Sequence, residues 1–473
     1  MTVLPLVAGV PFSRNATRQE ASRRIMATSS CNSFRAYRRT GALAAAALAL
    51  FVSPAAHALQ PLDTFVEHAR TWSPDNRSAQ ATTAQRDAEV STSTGNLLPN
   101  LQLTGTYTRN QYEVSFSEAG LVPGATGSLV IQPLNQVDGS AVLTIPLINV
   151  GTWDKQGAAK ATLASSKANV ADVARTTKKS VTRDYFQLLG YEAVLRSATQ
   201  NLDVARHNTK LAQDKMDSGT GSQLDVQRAL ADQAKAEQNV SAADLNVVDA
   251  RRSLYSLTGV APEPATAFPE AELTDEAPLA GWMSGAASSP AVAYARAHRV
   301  AAEKTAEAAG AAWYPTASAV GTEKVTNATG FVGHADYYLL QLTASWKLDA
   351  TLSSQARAQG AAADAARADE DKARLGAEDD VYKDWQQIRA DIASSRSARA
   401  QVTATKLAAS IAEDRYVNGV ATQLDLLQAR QDAFAAEVSR IQADSDLAYA
   451  RSALRLDSGR NSGQPTAAED TSR

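Results

Sequence analysis

The sequence holds a single cysteine, Cys31, and it stands ahead of the export cleavage site argued below. The exported chain is therefore expected to carry no thiol, no disulfide and no cysteine ligand. Aromatic residues make up only 6%, which disfavours a bulky globular core. No stretch in the body of the chain approaches the ~18 uninterrupted apolar residues of a spanning helix. Beyond the leader the histidines are His68, His207, His298 and His334, and none has a ligand-like neighbour at metal spacing. Phosphate-cradling glycine motifs, a nucleophile elbow and the HExxH pattern are absent as well. These gaps exclude the common routes to catalysis, so neither an enzyme nor a cofactor is expected.

The N-terminus reads as an export signal. Arg35, Arg38 and Arg39 form a basic region, Gly41 to Val52 is an apolar core, and Ala56-His57-Ala58 is a small-x-small cleavage site. Cleavage is expected after Ala58. The segment before Arg35 reads as an overlong start, with Met26 a candidate initiator. Leu59 follows the cut, so a lipid anchor on cysteine is not expected. Residues 1–58 carry seven basic residues and one acidic, leaving 40 basic and 49 acidic. That balance disfavours a nucleic-acid partner.

The chain repeats itself. Gly219-Thr-Gly221-Ser-Gln-Leu-Asp225 matches Gly419-Val-Ala-Thr-Gln-Leu-Asp425 at an offset of 200, and Val181, Asp184 and Tyr185 match Val381, Asp384 and Trp385. Leu98-Pro99 and Tyr314-Pro315 each end a helical stretch, because proline disfavours helix at the residue before it. Each repeat then reads as helix, strand, loop, strand, long helix, turn, long helix. The opening helices are expected at 62–96 and 286–312, and the first hairpin loop, 109–140, is longer than the second, 324–336. The proline-free stretches from Gly151 to Ser218 and from Thr351 to Asn418 would span roughly 100 Å as continuous helix. Leu427, Phe434, Ile441 and Ala448 recur every seven residues, with Leu424 and Val438 as partial companions. Val240, Val247 and Leu254 do the same in the first repeat. A coiled coil follows from that period, and an ordinary bundle is the alternative. The boundaries expected are a signal at 1–58, repeats at 59–259 and 282–458, a linker with four prolines at 260–281, and a disordered tail at 459–473. The clusters Asp369-Glu370-Asp371 and Glu378-Asp379-Asp380 read as solvated helix faces, and the Arg/Ala-rich stretch 389–400 as an exterior surface.

Four segments alternate in polarity as strands do. Tyr338, Leu340, Leu342, Ala344, Trp346 and Leu348 share one face of 337–348. Leu101, Leu103, Gly105 and Tyr107 share another, and Leu143, Ile145 and Leu147 a third. The fourth, 316–325, offers only Ala317, Ala319, Gly321 and Glu323 on that side and makes a poor lipid face. Soluble hairpins packed on helices would show the same alternation. If the strands span a membrane, four of them cannot close a barrel, and open edges are not tolerated in lipid. Two, three or four copies would then be needed.

Taken in order, the repeats, Leu98-Pro99 leading into a strand and the two Gly-x3-Gln-Leu-Asp turns resemble the TolC family of outer-membrane efflux and secretion ducts. The resemblance covers Leu62 to Asp457. It implies a homotrimer with a twelve-stranded barrel in outer-membrane lipid and an α-helical tunnel reaching into the periplasm. It also implies a passive exit role, in a tripartite efflux pump or a type I secretion system. Partners would be a periplasmic adaptor, the membrane fusion protein, and an inner-membrane RND or ABC transporter. The turns at Gly219, Gly221 and Gly419 would be the adaptor-docking tip. Tyr416, Asp225 and Asp425 would form its gate, with three Asp425 carboxylates in a ring that attracts cations and raises some of their pKa values. Two positions depart: the family's best-studied member has an arginine where Ala421 stands and an acid where Gln428 stands. As an alternative role for the two aspartates, an acid in the first turn stabilises a helix start. The competing reading of the whole chain is a periplasmic coiled-coil or adaptor-like protein that never enters a membrane.

Overall fold

The computed structural model describes residues 59–117, 128–265 and 267–459. The leader expected over 1–58 and the tail from position 460 lie outside the described residues. The first repeat runs α1 (Leu62–Trp72), α2 (Pro74–Gly95), β1 (Asn100–Arg109), β2 (Val114–Ser117), β3 (Ser128–Gln132), β4 (Asn135–Ile148), α3 (Val150–Asp217) and α4 (Gln223–Thr258). The second runs α5 (Leu279–Ala286), α6 (Pro290–Gly310), β5 (Thr316–Thr326), β6 (Asp336–Ser345), α7 (Ala350–Val417) and α8 (Gln423–Asp457). Both α3 and α7 are 68 residues long, about 100 Å at 1.5 Å per residue. No helix among the described residues is long and apolar enough to cross a membrane.

Several boundaries differ from expectation, each for a local reason. The helix expected over 62–96 is two helices, because Ser73 before Pro74 is extended (φ −53°, ψ 128°) and Pro74 opens α2 without needing an N–H bond. In the second repeat Pro290 plays that part, with the Ser289 hydroxyl accepting from Val292 N–H. The long first loop is shorter than expected: β4 begins at Asn135, and the antiparallel pair β2–β3 lies within the loop. Helix α5 begins inside the segment read as linker.

The 200-residue offset reappears as two matching cores. Val181, Leu188, Val247 and Leu254 bury together with Phe65 of α1. Val381, Ile388, Leu447 and Leu454 do the same with Trp282 of α5. Along α4 the seam is Val226, Val247 and Leu254 with Ala229, Ala236, Ala243 and Ala250, all buried. The alanine half of that heptad is silent in a hydrophobicity count, yet it lets α3 and α4 approach closely. In α8 the seam toward α7 is Leu447 and Leu454. Leu427 and Ile441, read as the seam from their period, are also buried. Leu424, expected as their companion, is exposed. On the flank of α8 that faces α3, the Ser445 hydroxyl donates to the Phe186 carbonyl at 2.8 Å.

Charged side chains strap the proline-rich linker to the helices. Glu192 accepts from Ala265 N–H at 2.5 Å, and Arg196 donates to the Ala265 carbonyl at 2.8 Å. Arg399 reaches the Ala271 carbonyl at 2.6 Å, and Trp385 the Ala277 carbonyl at 3.0 Å. A segment with four prolines cannot pair its own backbone, so side chains supply the bonds. Arg399 also meets the fully buried Asp444, and Ile392 and Ser395 are buried. The stretch 389–400 is therefore not a plain exterior surface. Glu370 likewise leaves its solvated cluster to pair with Arg296 and Arg299 of α6.

Candidate functional site

The strands form one antiparallel sheet in the order β1-β4-β5-β6. The register puts Leu101 opposite Leu143, Leu143 opposite Gly321 and Gly321 opposite Leu340. The next rows are Ile145–Ala319–Leu342 and Leu103–Ala141–Glu323–Tyr338. The apolar faces read strand by strand therefore fall on a single side of the sheet. The weak strand β5 lies between stronger neighbours, and a Cβ on Gly321 would already touch Leu340. Small residues there let the flanking leucines close over the gap.

This face is bare. Leu103 is 73% exposed, Leu340 76% and Leu342 81%. Leu101, Tyr107, Leu143, Ile145 and Tyr338 are exposed beside them. The opposite side carries Thr104, Ser140, Lys324 and Tyr337 in one register row, a mostly polar lining. Tyr107 and Tyr338 sit toward the loop end of the sheet. Trp346, expected inside β6, lies one residue past its end, where its indole N–H donates to the Trp313 carbonyl at 2.9 Å. Within the chain β1 and β6 are edge strands.

At the far ends of α3 and α7 stand the paired turns. Gly219 (φ 73°) and Gly419 (φ 76°) take the left-handed conformation, which only glycine adopts without strain. Each closes its helix with the two crossing bonds of a Schellman motif. Gly219 and Thr220 N–H donate to the Met216 and Lys215 carbonyls, and Gly419 and Val420 N–H to those of Tyr416 and Arg415. Gly221 is tightly placed against Lys215 and Met216. The next helices open on capping boxes. Asp225 N–H donates to the Ser222 hydroxyl and Asp425 N–H to the Thr422 hydroxyl, with both carboxylates bonding back. The repeated Gly-x3-Gln-Leu-Asp sequence is thus a cap, a turn and a second cap in seven residues.

Both aspartates therefore work locally. The Thr422 hydroxyl at 2.7 Å and Thr422 N–H at 3.0 Å hold the Asp425 carboxyl below its usual range. The chain itself opposes the upward shift that a ring of three would impose. Tyr416 is buried, at 6% exposure, and burial, with Asp225 nearby, pushes its phenol up. One residue escaped the sequence reading. Lys215 places its ammonium 2.5 Å from the Tyr416 carbonyl and 4.1 Å from the Tyr416 ring centre. A basic residue four positions before each glycine, Lys215 and Arg415, was the signal available. Leu224, Leu424 and Val420 stand exposed around the turns.

Residues 66–260 and 285–460 match the family described as outer membrane efflux protein. The chain is 24% identical over 314 residues to the outer membrane efflux protein BepC of Brucella suis biovar 1 (strain 1330), covering 65% of this chain and 69% of BepC. Its fold is similar to the Campylobacter jejuni CmeC outer membrane channel, with a TM-score of 0.72 at 14% identity, over 87% of this chain and 89% of that one. It is also similar to the open state of the Neisseria gonorrhoeae MtrE outer membrane channel, with a TM-score of 0.69 at 17% identity, over 85% and 90%.

Proposed function

Because the chain belongs to the outer membrane efflux protein family, we propose that three copies close their sheets into one barrel and their helices into one tunnel. The chain is an outer-membrane efflux channel and performs no covalent chemistry. One observation carries closure by several copies, a four-stranded sheet with two open edges and one bare, mostly apolar face, and the family supplies the number three. Open edges are untenable in lipid, so strand β6 of one copy must pair with β1 of the next. Leu101, Leu103, Leu143, Ile145, Leu340 and Leu342 then face lipid. Tyr107 and Tyr338 mark one interface, and Trp346 the other.

The tunnel would carry substrate passively from an inner-membrane RND or ABC transporter to the exterior. A periplasmic adaptor would dock on the turns at Gly219, Gly221 and Gly419, where Leu224, Leu424 and Val420 offer apolar contact. Tyr416, Asp225 and Asp425 would gate the tip. Purified protein in detergent is expected to run as a heat-sensitive trimer and to fractionate with outer membranes. A soluble periplasmic monomer would sink this reading and favour the adaptor-like alternative. In planar bilayers Asp425→Ala should lower cation preference and Tyr416→Phe should raise conductance. Unchanged selectivity in the first variant removes Asp425 from the constriction.

A further inference from the structure

We infer that Lys215 is the latch that holds the two helical hairpins of this chain together at the tip. The inference rests on the tip being the gate, and the experiment below separates the two. Lys215 belongs to α3, in the first repeat, and everything its ammonium holds belongs to α7, in the second. The ammonium donates to the Tyr416 carbonyl at 2.5 Å and lies 3.5 Å from that of Val417. It also sits over the Tyr416 ring, 4.1 Å from the centroid.

Three physical features make this more than a surface contact. The acceptors are the last carbonyls of a 68-residue helix, where the partial negative charge of the helix dipole collects. The ring face adds a cation–π attraction, strengthened because Tyr416 is buried. One ammonium thus grips both the backbone and the side chain of Tyr416. The base of the latch is rigid as well: the Lys215 carbonyl accepts from Thr220 N–H and Gly221 N–H, each at 2.9 Å. If the hairpins part at the tip, these contacts must break, because they cross from one hairpin to the other.

The equivalent residue 200 positions on does something else. Arg415 acts on Asp425 of its own hairpin. Position 421, on the facing turn, is alanine and supplies no cation. Among the described residues the cross-hairpin cation at Tyr416 is therefore Lys215, while Asp225 brings a negative charge from the same hairpin as Lys215.

The test is single-channel recording of full-length trimers carrying Lys215→Met, Lys215→Arg or Tyr416→Ala. Each is first checked for the heat-sensitive trimer band. Lys215→Met should raise the open-to-closed ratio roughly three- to tenfold, the effect of losing a helix-end cation and its ring contact. Lys215→Arg keeps the charge and the ring contact and should stay near wild type. If Lys215→Met matches wild type while Tyr416→Ala opens the channel, the latch is refuted and the gate stands. If neither variant opens it, the tip is not the gate and both readings fall. If Arg opens the channel as far as Met, the cation is not what holds the tip, and the latch is again refuted.

Discussion

Asp184 and Asp384 are the same residue in the two repeats, and the fold treats them differently. Asp184 accepts from the Ser253 hydroxyl at 2.5 Å. Asp384 is pushed up to about 7, first by burial and then by sharing a hydrogen bond with Asp457. Asp380 adds to that shift, and Lys179 opposes it. Lys179 and Arg175 both bind Asp457, tying α3 to the end of α8. Burial works against the Lys179 charge, but Asp457, Asp384 and Tyr449 outweigh it and hold its pKa above the usual lysine value. Between the ordinary aspartate pKa, near 4, and about 7 the folded chain binds a proton at Asp384 that the unfolded chain does not. Stability from this site is therefore fully present below that window and is lost as pH rises through it. Asp384→Asn should shrink the drop in melting temperature between pH 5 and pH 8, and thermal unfolding at both pH values measures it. Two glycines separate the other residue-scale causes. Gly219→Ala meets open space, so it should cost only the left-handed strain, about 1–2 kcal/mol. At Gly285 a Cβ would lie 1.9 Å from the Ser458 carbonyl. Gly285→Ala must push α5 off the end of α8, at a cost of about 1–3 kcal/mol typical of overpacking. Denaturant titration of the two variants checks the order.

At the scale of elements, the helix ends were the most legible feature, because caps are local. Each Gly-x3-Gln-Leu-Asp run spells a left-handed terminator, an N-cap three residues on and an acid at the third helical position. Ser222→Ala and Thr422→Ala should each cost about 1 kcal/mol and leave the fold intact. Faster hydrogen exchange confined to the first turn of α4 or α8 is the expected sign. The long helices were legible from their lack of proline, and Pro74 marked a break that the expectation of one helix over 62–96 passed over. Strand β5 was not legible as a membrane strand. Its side chains are too small to declare a face, and only the register against Leu143 and Leu340 gives it one. The same holds for the alanine seam of α4, which contributes closeness rather than apolar mass.

At the scale of the whole molecule, the bare sheet decides how the chain must live. Replacing Leu340 or Leu342 with lysine should cost about 2–4 kcal/mol if the site lies near the bilayer midplane, and less toward an interface. Outer-membrane fractionation and the heat-sensitive trimer band should both weaken, while circular dichroism of the helices changes little. A loss of helix instead would mean that this face packs against protein. The linker is the other whole-molecule device. Its straps come from both repeats, Glu192 and Arg196 in the first and Arg399 and Trp385 in the second. One segment thereby staples two hairpins whose own sequences run 200 residues apart.

The sequence alone determined the repeat, the pair of long helices and the capped turns. Each of these is written in short spacings or in composition, and local sterics and hydrogen bonding act over such distances. Only the tertiary structure decided which residues meet across the repeats. The grip of Lys215 on Tyr416, the Asp384–Asp457 pair and the straps on the linker join positions far apart in the chain. No periodicity encodes those pairings, because they depend on how the two hairpins pack together. The same packing turned four strands of unequal character into one mostly apolar face, with Glu323 as an exception.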